Sequence, residues 1–126
     1  MIEALCVGFG GFIGAISRYL ISMQASKIFT GKIPVGTLCV NILGGLLIGL
    51  ILELNSRTDL VSPHMKLFLT TGLMGGLTTF STFSYETVGL FSDGNYMSAT
   101  ANIVLNVALS LIGVMIGRGI IMNFTN

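Results

Sequence analysis

Three stretches of this chain, 33–52, 67–85 and 94–117, contain no Asp, Glu, Lys, Arg or His, and a fourth, 4–23, is interrupted only by Arg18. A helix needs about 20 mainly apolar residues to cross the hydrocarbon layer of a bilayer. Within that layer the backbone must satisfy its own polar groups, so helices are the spans such runs can form. The chain is therefore predicted to be an all-α integral membrane protein. Its transmembrane helices are expected at about 4–23, 33–54, 67–91 and 97–121. Together they account for most of its 126 residues and short turns for the rest, so residues 1–126 are read as a single four-helix transmembrane domain with no room for a separate soluble one. Composition agrees, with 52% hydrophobic and only 9% charged residues. Met1-Ile2-Glu3 supplies no basic leader and no small-residue cleavage site follows. The first helix is accordingly expected to stay in the protein.

Several function classes are excluded early. A net charge of +1 offers no basic patch for nucleic acid. Cys6 and Cys39 fall in different expected helices and belong to no CxxC or metal-ligand pattern, so both are read as small packing residues. His64, the single histidine, sits in the loop "SRTDLVSPHMK" away from most serines. No hydrolytic triad, metal-ligand cluster or phosphate loop can be assembled, and the chain is not expected to be an enzyme.

Small residues repeat where helices must pack. Gly10 and Gly14, Gly45 and Gly49, Gly72 and Gly76, and Gly113 and Gly117 form a GxxxG pair in each span, a spacing that lets helix backbones approach closely in lipid. The loop charges orient the chain weakly. Arg57, Lys66 and Arg118 would lie at one surface and Lys27 and Lys32 at the other, with Arg18 in or near the first helix. So slight a bias permits insertion in both directions. Two oppositely inserted copies could then pair about an axis in the membrane plane.

Polar side chains stand where lipid or protein should be. Thr37 and Asn41 are four residues apart on one face of the second span, and Asn102, Asn106 and Ser110 form a stripe on the fourth. They serve either interhelical hydrogen bonding or a polar path. Arg18 and Glu86 are the ionisable residues nearest the span interiors. Each either faces a cavity or partner or snorkels to the interface. Glu3, Glu53, Asp59 and Asp93 fall near ends and turns and are read as solvated surface.

The third span carries "GLMGGLTTFSTFSYE". Gly75-Gly76 should weaken its helix at the centre, because glycine costs about 1 kcal/mol relative to alanine in a helix interior. A break there would bare carbonyls that suit a cation and N–H groups that suit an anion. Beyond it, Phe80 and Phe83 share a face one turn apart. They either pack in a core or turn positive ring edges toward an anion.

"GGLTTFSTFSYE", with "GTLCVNILGG" in the second span and "GGFIGAISRY" in the first, resembles the Fluc (CrcB-type) family of microbial fluoride channels, and the resemblance covers all four spans. It implies an antiparallel, dual-topology homodimer in the bacterial cell (inner) membrane, crossing it several times. Each dimer would hold two passive fluoride pathways and export cytoplasmic fluoride down its electrochemical gradient. It also implies that the third helix is broken at its centre and that backbone carbonyls there, on this chain those of Gly75 and Thr78, hold a structural sodium ion between the subunits. The resemblance assigns the fluoride pathway to Asn41, Phe80, Phe83, Ser81, Thr82, Thr37, Asn106 and Ser110, and leaves Arg18 and Glu86 as vestibule or structural charges. No organic cofactor is implied. Of the competing readings, a dual-topology multidrug exporter would need a carboxylate in the first span, where this chain has Arg18. A purely structural subunit would not need the polar stripes.

Overall fold

The fold is that of a computed structural model, which describes residues 1–125. Its helices are α1 (Ile2–Ile28), α2 (Val35–Arg57), α3 (Pro63–Leu67), α4 (Gly75–Leu77), α5 (Phe80–Ser92) and α6 (Tyr96–Phe124), with a π-helical stretch, Phe68–Met74, joining α3 to α4. No strand occurs among the described residues. Helices α1, α2 and α6 are each long and apolar enough to cross a membrane. The remaining crossing is assembled from α3, the π-helical stretch, α4 and α5, and is interrupted at Thr78 and Thr79.

Local chemistry explains where that crossing begins. Ser62 accepts a hydrogen bond from the Met65 N–H at 3.3 Å and Pro63 occupies the first helical position, a strong N-terminal signal because Pro has no N–H to lose there. The helix therefore starts at Pro63, and the exposed His64 rides on it rather than lying in a loop.

The helices sort into two close pairs. In the first, Gly10 and Gly14 of α1 face Gly72 and Gly76 of the third crossing; in the second, Gly45 and Gly49 of α2 face Gly113 and Gly117 of α6. At each position a Cβ would strike the neighbouring backbone. One on Gly76 would lie 2.5 Å from the Gly11 carbonyl oxygen, and one on Gly45 at 2.5 Å from that of Ser110. Numbers rise together along both contacts, so the helices within each pair run parallel. Gly36 of α2 meets Ser22 of α1, which sets those two antiparallel and gives an up-down-up-down bundle. The pairs join where Val40 of α2 packs on Met74 and Leu77.

Two polar ties close the ends. Lys32 Nζ donates to Asn95 Oδ1 at 2.7 Å, fastening the α1–α2 loop to the α5–α6 turn, where Gly94 adopts φ +77°, a value readily open to glycine. At the opposite end Glu53 departs from the solvated position expected of it. It is 9% exposed and accepts from Arg57 Nε at 2.6 Å and from Arg118 Nε of α6 at 2.9 Å. Helix α2 runs on to Arg57, which keeps Glu53 a turn inside its end and level with Arg118.

Candidate functional site

The broken third crossing organises the site, and the break is not at the glycines. Gly75 is helical at φ −61°, ψ −37°, and α4 runs through Gly76 to Leu77. The backbone leaves the helix at Thr78 (φ −84°, ψ 157°) and Thr79 (φ −152°, ψ 116°). Gly76 is needed instead for the close approach to Gly11 and Ala15. Upstream, the wider π-helical turns already loosen the regular bond pattern, as such stretches often do near functional sites.

Side chains take over the bonds the break releases. The Thr79 N–H donates to Asn41 Oδ1 at 2.9 Å, and Asn41 Nδ2 donates to the Thr79 carbonyl at 3.2 Å. Asn41 on α2 thus holds both backbone groups of one non-helical residue. Thr79 Oγ1 accepts from the Thr82 N–H at 3.2 Å and caps α5. The Thr78 hydroxyl bonds back to the Met74 carbonyl at 2.9 Å. Its methyl group fits only because residue 44 is glycine; a Cβ at Gly44 would collide with it.

The break releases carbonyls on its upstream side, among them those of Gly75 and Thr78. In a continuous helix Gly75 O would accept from the Thr79 N–H and Thr78 O from the Thr82 N–H, but both donors are engaged elsewhere. Thr78 O instead accepts from Arg18 Nη1 at 3.3 Å. Arg18 therefore serves the break, and Glu86 pairs elsewhere: Thr37, buried on α2, donates to Glu86 Oε1 at 2.8 Å, while Glu86 Oε2 is buried without a partner.

A groove of about 550 Å³ runs beside the break, lined by Asn41, Thr70, Gly75, Thr78, Thr79, Phe80, Phe83, Asn106 and Ser110 together with apolar residues. Phe80 and Phe83 lie with ring centroids 5.6 Å apart and planes at 51°. Phe80 projects, 79% exposed, whereas Phe83 is 9% exposed. Ser81 and Thr82 are exposed at the start of α5, where Thr82 Oγ1 accepts from the Thr79 hydroxyl at 3.0 Å. Ser81, Thr82 and Thr37 are thus brought near the break but do not line the groove.

Two buried threonines escaped the sequence reading. Thr79 is the pivot of the break, and its signal was present: a threonine at the N-cap of the phenylalanine-bearing helix. Thr87 lies four residues after Phe83, hence on the same face, and receives Asn102 Nδ2 at 3.0 Å. Among the described residues no three His, Cys, Asp or Glu side chains gather to hold a metal.

A mainly apolar groove carrying an amide and several hydroxyls, laid against a broken helix in a bundle of membrane-length helices, points to a small membrane transport protein. The chain belongs to the family described as CrcB-like protein, Camphor Resistance (CrcB), which it matches over residues 5–118. It is 58% identical over 120 residues to the "Fluoride-specific ion channel FluC" of Clostridium novyi (strain NT), covering 95% of this chain and 94% of the relative. Proteins of the same name from Ruminiclostridium cellulolyticum and Shewanella baltica (strain OS185) are 49% and 45% identical, covering 94% and 96% of this chain and 91% and 97% of theirs. Family and helix lengths together make it a multi-pass protein of the bacterial inner membrane.

Proposed function

We propose that this chain is one subunit of a passive, fluoride-selective ion channel, with residues 1–126 forming one four-span membrane domain that pairs with an oppositely inserted copy. The observation that carries this reading is the groove beside the break, where an amide, hydroxyls and two phenylalanine rings converge midway along the broken third crossing. The name borne by relatives more than half identical to this chain supports fluoride as the ion.

The pathway is proposed to use Asn41, Phe80, Phe83, Ser81, Thr82, Thr37, Asn106 and Ser110. Fluoride is small and strongly hydrated, so a narrow path must replace its water with other positive edges. Hydroxyl hydrogens and ring-edge hydrogens supply these without a full charge that would trap the ion. Several weak sites in succession let it leave as readily as it enters. Membrane voltage drives the anion outward, so no chemical energy source and no enzymatic step are needed. Glu86, held by Thr37, and Arg18, held at Thr78 O, are proposed as fixed charges flanking the path.

The carbonyls of Gly75 and Thr78 fit a structural sodium ion, because the break strips both of their helical donors and carbonyl oxygen suits a hard cation. Bound there, sodium would give Gly75 O a positive partner and share Thr78 O with Arg18, with the matching pair coming from the second subunit.

The test is fluoride efflux from liposomes holding the purified protein, read with a fluoride electrode after a potassium ionophore is added. Rapid fluoride release with chloride retained is the expected result. Folded dimers that release no fluoride would overturn the reading.

A further inference from the structure

We infer that Asn102 and Asn106 are positioning residues: with Thr87 they form a one-way buried hydrogen-bond relay that fixes the Asn41 amide and the Phe83 segment on either side of the groove.

The relay has five links. The Thr79 N–H donates to Asn41 Oδ1 at 2.9 Å, Asn41 Nδ2 to Asn106 Oδ1 at 3.0 Å, and Asn106 Nδ2 to Asn102 Oδ1 at 3.0 Å. Asn102 Nδ2 then donates to Thr87 Oγ1 at 3.0 Å, and the Thr87 hydroxyl to the Phe83 carbonyl at 2.7 Å. Its direction is dictated at both ends and in the middle. A backbone N–H can only donate, so the Asn41 oxygen must face Thr79. The Phe83 carbonyl can only accept, so the Thr87 hydrogen must point to it. Asn106 Nδ2 also donates to the Asn102 backbone carbonyl at 2.9 Å, which orients that amide independently.

This wiring changes what the asparagines can do. Asn41 Nδ2 has two hydrogens, and they go to Asn106 Oδ1 and the Thr79 carbonyl. Asn106 Nδ2 likewise serves two acceptors on Asn102. Asn102 is wholly buried and Asn106 nearly so. Asn41 and Asn106 both line the groove, but as fixed polar walls: offering an amide hydrogen to a passing anion would break a buried bond and leave its former acceptor orphaned. Their part is to hold α2, α5 and α6 in register around the break, leaving hydroxyls and ring edges to face the groove. Because the bonds are in series, and linked bonds polarise one another, losing one should disturb the others.

The flux arm of the test rests on the channel reading; the exchange arm does not. Thr87→Val removes one hydroxyl while keeping the side chain's shape. It should slow fluoride efflux about tenfold, the order expected for one lost buried bond, and Thr87→Ser should restore it. Asn102→Ala combined with Thr87→Val should be no slower than the worse single variant, because residues that act through one another are not additive. By hydrogen exchange in nitrogen-15 spectra of the folded dimer, the Thr79 amide should exchange about tenfold faster in Thr87→Val, although three asparagines separate that backbone N–H from the Thr87 hydroxyl. Multiplying flux defects, or an unchanged Thr79 amide in the folded Thr87→Val dimer, would overturn the relay. If Asn102→Ala does not fold, the Thr87 pair decides alone. If the wild type passes no fluoride, the channel reading falls and Thr79 exchange still decides the relay.

Discussion

Phe80 and Phe83 sit one turn apart, yet one is 79% exposed and the other 9% exposed, so the same substitution should act differently at each. Phe80→Ile removes a ring that the subunit barely buries. Fluoride efflux is expected to fall about tenfold as the ring edge is lost from a multi-site path, with little change in the unfolding midpoint. Phe83→Ile should reduce flux as well and also cost about 1 kcal/mol of stability through imperfect repacking. Efflux and unfolding on the same preparations separate the two effects, and wild-type flux in both variants would return the rings to packing. Thr37 offers a second residue-level test. Its hydroxyl holds Glu86 Oε1 while Glu86 Oε2 has no partner. Thr37→Val should therefore slow efflux about tenfold by leaving the carboxylate without a protein donor, whereas Thr37→Ser should preserve the rate. Wild-type flux in Thr37→Val with loss in Thr37→Ser would instead assign Thr37 to packing through its methyl group.

At the scale of elements, the GxxxG pairs make a prediction with an internal control. A Cβ on Gly14 would collide with the Leu73 carbonyl and one on Gly117 with the Leu46 carbonyl, while Gly8 and Gly119 have nothing within 4 Å. Gly14→Ala and Gly117→Ala should each destabilise the folded chain by about 1–3 kcal/mol, the usual cost of overpacking; Gly8→Ala and Gly119→Ala should not. Reversible unfolding in detergent measures all four. These glycines also show what could be read from the sequence. A spacing of four names the faces that must meet, because it depends only on helix period, and the interrupted third helix was legible because few residues stabilise mid-span backbone. The seat of the break was misjudged. Propensity pointed to Gly75-Gly76, but both are helical, Gly76 packed tightly on α1, and the break falls at Thr78-Thr79, where Asn41 arrives from another helix to take the freed bonds. The asparagine stripe on α6 was visible, but its wiring to Thr87 and Thr79 was not. Hydrogen-bond direction is set by tertiary neighbours that one sequence does not align.

For the whole molecule, the decisive property is the near balance of charge between its two ends. Arg57, Lys66 and Arg118 lie at one end, Lys27 and Lys32 at the other, and Glu53 is occupied by two of the three arginines and lysines at its own end. Orientation follows the bias in Lys and Arg near the span ends, so a difference this small should let both orientations form, as an antiparallel pair requires. The balance can be tipped. Asp59→Lys with Leu60→Lys adds two cations to the exposed loop after α2. Gly31→Lys with Asp93→Lys adds two at the opposite end, where Gly31 has open space around it. Each double variant should insert mainly one way and, lacking oppositely oriented partners, show less than about a tenth of wild-type fluoride flux in cells. Expressed together, the two populations supply each other's partner and flux should return. Cysteine labelling from either side of the membrane checks the orientations directly. One-way insertion with full flux in either variant alone would mean that the working unit does not need opposed subunits, and the paired-carbonyl account of the sodium site would have to be abandoned with it.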